Sequence, residues 1–101
     1  MSDHDQTPPP VGVYWIREDD YPAALAVFAD GHKLPRIWSE WLRMAEEMEN
    51  GLKAYGHPVL RVTIDPATFP DWCAAQATTT GSDGRKRFVA AALQERYGDQ
   101  K

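Results

Sequence analysis

The 101 residues offer room for one ordinary domain, and a composition of 43% hydrophobic, 11% aromatic and 26% charged residues excludes disordered, collagen-like and disulfide-scaffold classes. Eleven Lys and Arg against fifteen Asp and Glu give a net charge of -4, which repels a phosphate backbone and makes nucleic acid an unfavoured partner. No stretch approaches the roughly 18 to 20 apolar residues of a membrane span, and Met1 to Pro10 lacks the basic start and apolar run of a secretory signal, so the reading is a cytoplasmic protein without membrane attachment.

Residues 1–12 read as a disordered tail. Met1 to Pro10 offers little apolar surface to offset ordering, and Pro8-Pro9-Pro10 is a short polyproline spacer rather than an SH3-type ligand. A single compact domain then spans 13–98, with 99–101 as a C-terminal tail. Val13 to Arg17 is a run of strand formers and gives strand one. Asp19 or Asp20 is positioned to cap a short helix that carries Pro22 in its first turn, continues over Ala23 to Ala29 and stops at Asp30-Gly31. A competing reading makes Leu25 to Phe28 a strand, but the surrounding alanines favour helix.

The strongest periodic signal follows. Trp38, Trp41, Leu42, Ala45, Met48, Leu52 and Tyr55 recur at helical spacing and predict one long amphipathic helix. Its polar face holds Glu40, Arg43, Glu46, Glu47, Glu49 and Lys53, with Glu49–Lys53 and Arg43–Glu47 at the i,i+4 separation of ion pairs, and the glutamates at 46, 47 and 49 read as solvated charge. Gly51 costs the helix roughly 1 kcal/mol, yet the stripe stays in phase across it, so the helix is expected to run unbroken to a left-handed stop at Gly56. In Val59 to Ile64, Leu60, Val62 and Ile64 share one face, giving strand two, whose apolar face is expected to roof the long helix. Thr68 and Asp71 have capping-box spacing and start a third helix over Phe69 to Ala77, with Pro70 tolerated near its start. A linker leads to Ser82 or Asp83, which cap a final helix ending at Gly98.

The fold class is therefore α+β: a small two-stranded sheet covered by three to four helices, in the order strand-helix-helix-strand-helix-helix, with strand two central or the sheet extended by a second protomer.

Several residues invite a chemical reading. Cys73 could act as a nucleophile with His57 as base, but a thiol needs a lowered pKa, and unpaired cysteines are among the most buried residues. His57, Asp65 and Asp71 lack any close ligand pair, and Glu18 to Asp20 lacks the alternation of a calcium loop, so neither metal nor cofactor is expected. No catalytic residue is assigned, and the reading leans away from an enzyme. Arg85, Lys86 and Arg87 follow Gly81 and Gly84 at a helix start and could contact an anion or nucleic acid, although the P-loop spacing is missing and Asp83 opposes it. Residues 81–101 carry a charge of +2 and residues 1–80 a charge of -6. Finally, Trp15, Trp38, Trp41 and Trp72 are more tryptophan than so small a core needs. A surface built from some of them would serve a homodimer or another protein, so a non-catalytic interaction or self-association module is the leading reading.

The blocks Tyr21-Pro22-Ala23-Ala24-Leu25, Lys33-Leu34-Pro35, Glu40-Trp41-Leu42, Val62-Thr63-Ile64-Asp65-Pro66 and Phe69 with Trp72-Cys73 resemble a family of small bacterial proteins known only as a domain of unknown function. Pro70 departs from it, standing where an ordinary helix former is expected. The resemblance covers Trp15 to Tyr97 and implies a compact bacterial cytosolic domain, with no activity, cofactor or catalytic residue attached.

Overall fold

Two five-residue strands, β1 (Val11–Trp15) and β2 (Val59–Thr63), lie parallel in register from Val11 opposite Val59 to Trp15 opposite Thr63, in a computed structural model that describes residues 8–98. Four helices complete the α+β fold: α1 (Tyr21–Val27), α2 (Trp38–Ala54), α3 (Phe69–Ala75) and α4 (Ser82–Tyr97), with 3-10 turns at Glu18–Asp20 and Gly31–Lys33. Parallel strands need a long crossover, and α1 and α2 supply it. The strand-helix-helix-strand-helix-helix order agrees with the sequence reading. With two strands among the described residues, β2 is not central, and both strands are edges there.

Local corrections have local causes. β1 begins two residues before the expected Val13, because the Val11 amide already donates to the Pro58 carbonyl at 2.9 Å. Val11 and Gly12 are thus strand rather than tail, and Pro8 to Pro10 lie against the fold, the Pro9 carbonyl 2.8 Å from the His57 ring; residues 1–7 of the expected tail and the tail at 99–101 lie outside the described residues. Neither Asp19 nor Asp20 caps α1: the acidic trio forms a 3-10 turn, and the Asp20 carboxylate accepts from Arg17 Nε at 3.2 Å. The Thr68–Asp71 box does not form either. Asp65 takes that role upstream, its carboxylate accepting from the Ala67 amide at 2.9 Å and its carbonyl from the amides of Thr68 and Phe69. α3 ends at Ala75, two residues early, and Ala77 then adopts a left-handed φ of 56°. Gly81 occupies the cap position of α4, which carries no side-chain cap from Ser82 or Asp83.

The long helix runs unbroken through Gly51, and Gly56 stops the chain with φ of 91°. Its placement differs from expectation. Successive strand residues point to opposite faces, so Val13, Trp15 and Arg61 share one face while Gly12, Leu60 and Val62 share the other. α2 lies on the first face: Trp41 meets Trp15 edge-on with ring centroids 5.4 Å apart, and Glu49 grips Arg61. The Leu60 and Val62 face belongs instead to α4, whose Val89 and Leu93 close on Gly12 and whose Ala92 flanks Leu60 and Val62. Between these layers the core is aromatic, with Phe69 edge-on to both Phe28 (5.7 Å) and Phe88 (5.4 Å) around the fully buried Ile16 and Ile64. Such pairs contribute about 0.5–1.5 kcal/mol each beyond their burial. No helix among the described residues is long and apolar enough to cross a membrane.

Candidate interaction site

In a parallel ladder, alternate residues of a strand spend both main-chain groups on one neighbour. The Val11 amide donates to Pro58 and the Trp15 carbonyl accepts from Ile64, which assigns Val11, Val13 and Trp15 to β2. Gly12, Tyr14 and Ile16 therefore turn their amides and carbonyls outward. The outward carbonyl of Ile16 is taken by the indole Nε1 of Trp38 at 2.8 Å. Those of Gly12 and Tyr14 have no partner among the described residues, leaving a short open sheet edge.

That edge forms the floor of a groove of about 480 Å³, within the size range of ligand sites. α4 provides one wall through Val89, Ala90 and Leu93, and Met48 of α2 stands opposite. Met48 was expected in the core; it is 62% exposed, and Met44 one turn before it 55%, because a sheet only two strands wide ends before it reaches them. Tyr55, the last residue of the expected stripe, is likewise exposed. Unbranched thioether side chains adapt their shape to what they meet, which suits a binding wall.

The groove is electrically polar along its length. α4 runs antiparallel to β1: Arg85 lies beside Tyr14, Val89 and Leu93 beside Gly12, and Tyr97 near Pro10. Ser82, Arg85 and Lys86 thus gather at the Tyr14 end, while the Pro10 end is apolar. Arg85 is almost fully buried, its two terminal nitrogens donating to the Asp30 carboxylate at 2.7 and 2.9 Å. Its Nε has no hydrogen-bond partner among the described residues, and the guanidinium carbon lies 5.0 and 4.7 Å from the ring centroids of Tyr14 and Phe28. The hydrogen bonds from Arg85 hold the Asp30 carboxyl below its ordinary value.

The opposite edge differs. Val59, Arg61 and Thr63 of β2 turn their main chain outward, and Arg61 and Thr63 border a hollow with Glu95 and Arg96 of α4. Charges along an edge discourage pairing with another strand. Arg61 is further held at 2.8 Å by both oxygens of Glu49, and its guanidinium lies 3.8 Å over the Trp15 ring. Glu49 is consequently not solvated: it is 5% exposed, and the Arg61 hydrogen bonds lower its pKa.

The residues singled out from sequence are dispersed. Trp15 and Trp41 are core members, 8% and 3% exposed, so their side chains offer no surface. Trp38 and Trp72 are half-buried, Trp38 bonded to Ile16 and Trp72 packed edge-on against Phe88 at 5.1 Å. The four form no single patch. Of the basic trio, Arg85 is committed to Asp30, while Lys86 and Arg87 are exposed. Cys73 is buried under Gly84, and burial pushes its thiol pKa up, away from the thiolate a nucleophile needs. The ring Nδ1 of His57, its candidate base, is bonded to the Pro9 carbonyl at 2.8 Å. Among the described residues no three His, Cys, Asp or Glu side chains gather as metal ligands.

The open edge escaped the sequence reading, although two signals pointed to it. β1 contains no charged residue, and glycine inside a strand marks close backbone approach. Neither says which side of a strand is left unpaired; that depends on the order of the finished sheet. No protein-family model, curated protein or solved structure matches this chain.

Proposed function

We propose that this chain is a non-catalytic cytoplasmic binding module that takes an extended segment of another protein along the outer edge of β1. The observation that carries this reading is the pair of main-chain positions, Gly12 and Tyr14, that have no partner among the described residues and lie at the floor of an apolar groove. Strand addition draws affinity from main-chain hydrogen bonds and specificity from pockets for alternate side chains, and both parts are available here. Uncharged β1 beside charged β2 gives the preference for one edge over the other.

A second copy is a poorer fit than a single strand. Pairing two β1 strands antiparallel about a two-fold axis would set them about 4.8 Å apart. Because α4 packs mainly over β1, the two α4 helices would be forced together on one face, where packed helices need about 8–10 Å.

The test is selection of extended peptides from a random displayed library, followed by ¹⁵N-¹H shift mapping. Ala90 and Met48 are exposed groove residues, so A90R and M48K should obstruct the groove without disturbing the core. Peptides that perturb the Gly12 and Tyr14 amides and lose binding in both variants support the proposal. Peptides that bind elsewhere, or a sedimentation mass showing a dimer that A90R dissociates, overturn it.

A further inference from the structure

We infer that the segment taken by the β1 groove is a protein C-terminus, laid parallel to β1 with its terminal carboxylate beside Ser82 and Lys86; this rests on the β1-edge reading above. Three features set the polarity. The edge is closed just beyond Tyr14, because Trp38 already occupies the Ile16 carbonyl. A chain passing through would need that end open, whereas a chain that terminates there does not. The closed end is also the cationic one: Lys86 and Ser82 line the groove there and are exposed, and no side chain caps the first turn of α4. A helix N-terminus favours an anion, and its field adds to the Lys86 charge. Of the acidic groups nearby, Asp30 is engaged by Arg85, and Asp83 lines not the β1 groove but a neighbouring hollow that it shares with Thr78, Thr79, Lys86 and Arg87. The far end, lined by Pro10, Ala90 and Leu93, suits the apolar residues that precede the terminus.

A parallel third strand would accept from the amides of Gly12 and Tyr14 and donate to their carbonyls. Its side chains would alternate between the α4 wall and Met48. About four residues at roughly 3.3 Å each span Val11 to Tyr14, so recognition is confined to the last few positions of the partner.

The experiment uses three pools of fluorescein-labelled hexapeptides, randomised among Val, Ile, Leu, Thr and Tyr. One pool has free C-termini, one is C-terminally amidated, and one is amidated with Asp at the last position. Affinity is read by anisotropy and location by the Gly12 and Tyr14 amide shifts. The free-acid pool should bind at least about tenfold tighter than the amidated pool, roughly 1.4 kcal/mol. The Asp pool should not recover this, and Lys86→Gln should narrow the gap. Equal binding of acid and amide pools with shifts at Gly12 and Tyr14 overturns the carboxylate inference and leaves the edge reading standing; recovery by the Asp pool overturns the terminus in favour of an acidic side chain. If no pool moves the Gly12 and Tyr14 amides, the edge reading falls, and this inference with it.

Discussion

Asp30→Ala is expected to destabilise the protein more than Arg85→Met, although each removes the same ion pair. The Arg85 side chain is 7% exposed and Asp30 25%. Deleting Asp30 strands a guanidinium in the core, whereas deleting Arg85 leaves a carboxylate that can turn toward water. Breaking a fully buried pair from one side costs about 3–5 kcal/mol. With Asp30 a quarter exposed, solvent softens this to about 2–4 kcal/mol for the alanine variant. The methionine of R85M keeps the aliphatic packing on Tyr14 and Phe28 and should cost about 1 kcal/mol. For a domain of this size, Asp30→Ala should then lower Tm by about 10–25 °C. The Asp30 pKa is lowered by its Arg85 hydrogen bonds, so its contribution is complete above the unfolded carboxylate value of about 3.9 and fades as pH falls through the lower folded value. Urea unfolding followed by tryptophan fluorescence at neutral and acid pH reads both effects. A larger loss for R85M than for D30A, or a gap between wild type and D30A that persists unchanged at low pH, would refute the reasoning.

Two glycines should respond oppositely to alanine. Gly51 has open space around its missing Cβ, so Gly51→Ala should stabilise by about 0.5–1 kcal/mol in thermal melts, while the same change at Gly84 would press on the Thr79 carbonyl and Cys73 Sγ and cost about 1–3 kcal/mol. Ala77, at φ of 56°, should be relieved by glycine, raising stability by about 1 kcal/mol in urea titrations. Glu49→Gln should cost about 1–2 kcal/mol and, by loosening Arg61 from the Trp15 ring, alter tryptophan emission; an unchanged spectrum would count against that contact. The buried Cys73 thiol should react with Ellman's reagent at mildly alkaline pH far more slowly than free cysteine, accelerating only in denaturant.

The order of elements was readable because it rests on local periodicity. Trp38, Trp41 and Leu42 recur at helical spacing regardless of what covers them, and the left-handed stop at Gly56 follows from the missing side chain. Strand alternation in Val59 to Thr63 was equally local. The same logic misplaced the ends of the α2 stripe: Met48 and Tyr55 are apolar and in phase, yet exposed, since periodicity reports a face and not how far its covering extends.

Three decisions belonged to the tertiary structure alone. Arg85 and Asp30 lie 55 positions apart, and Glu49 and Arg61 twelve, so nothing in the neighbouring sequence distinguishes these charges from the solvated ones beside them. Which face of β2 meets α2 was settled by the Glu49–Arg61 grip and the Trp15–Trp41 contact, while the helical spacing of Phe88, Val89, Ala92, Leu93 and Tyr97 in α4 gave no hint of which sheet face that helix covers. Composition and spacing determined that a two-stranded α+β domain forms. Only parallel pairing of β1 with β2 decided that Gly12 and Tyr14 turn their main chain outward, because a strand carries hydrogen-bonding groups on both sides and the sheet's order chooses which side stays open.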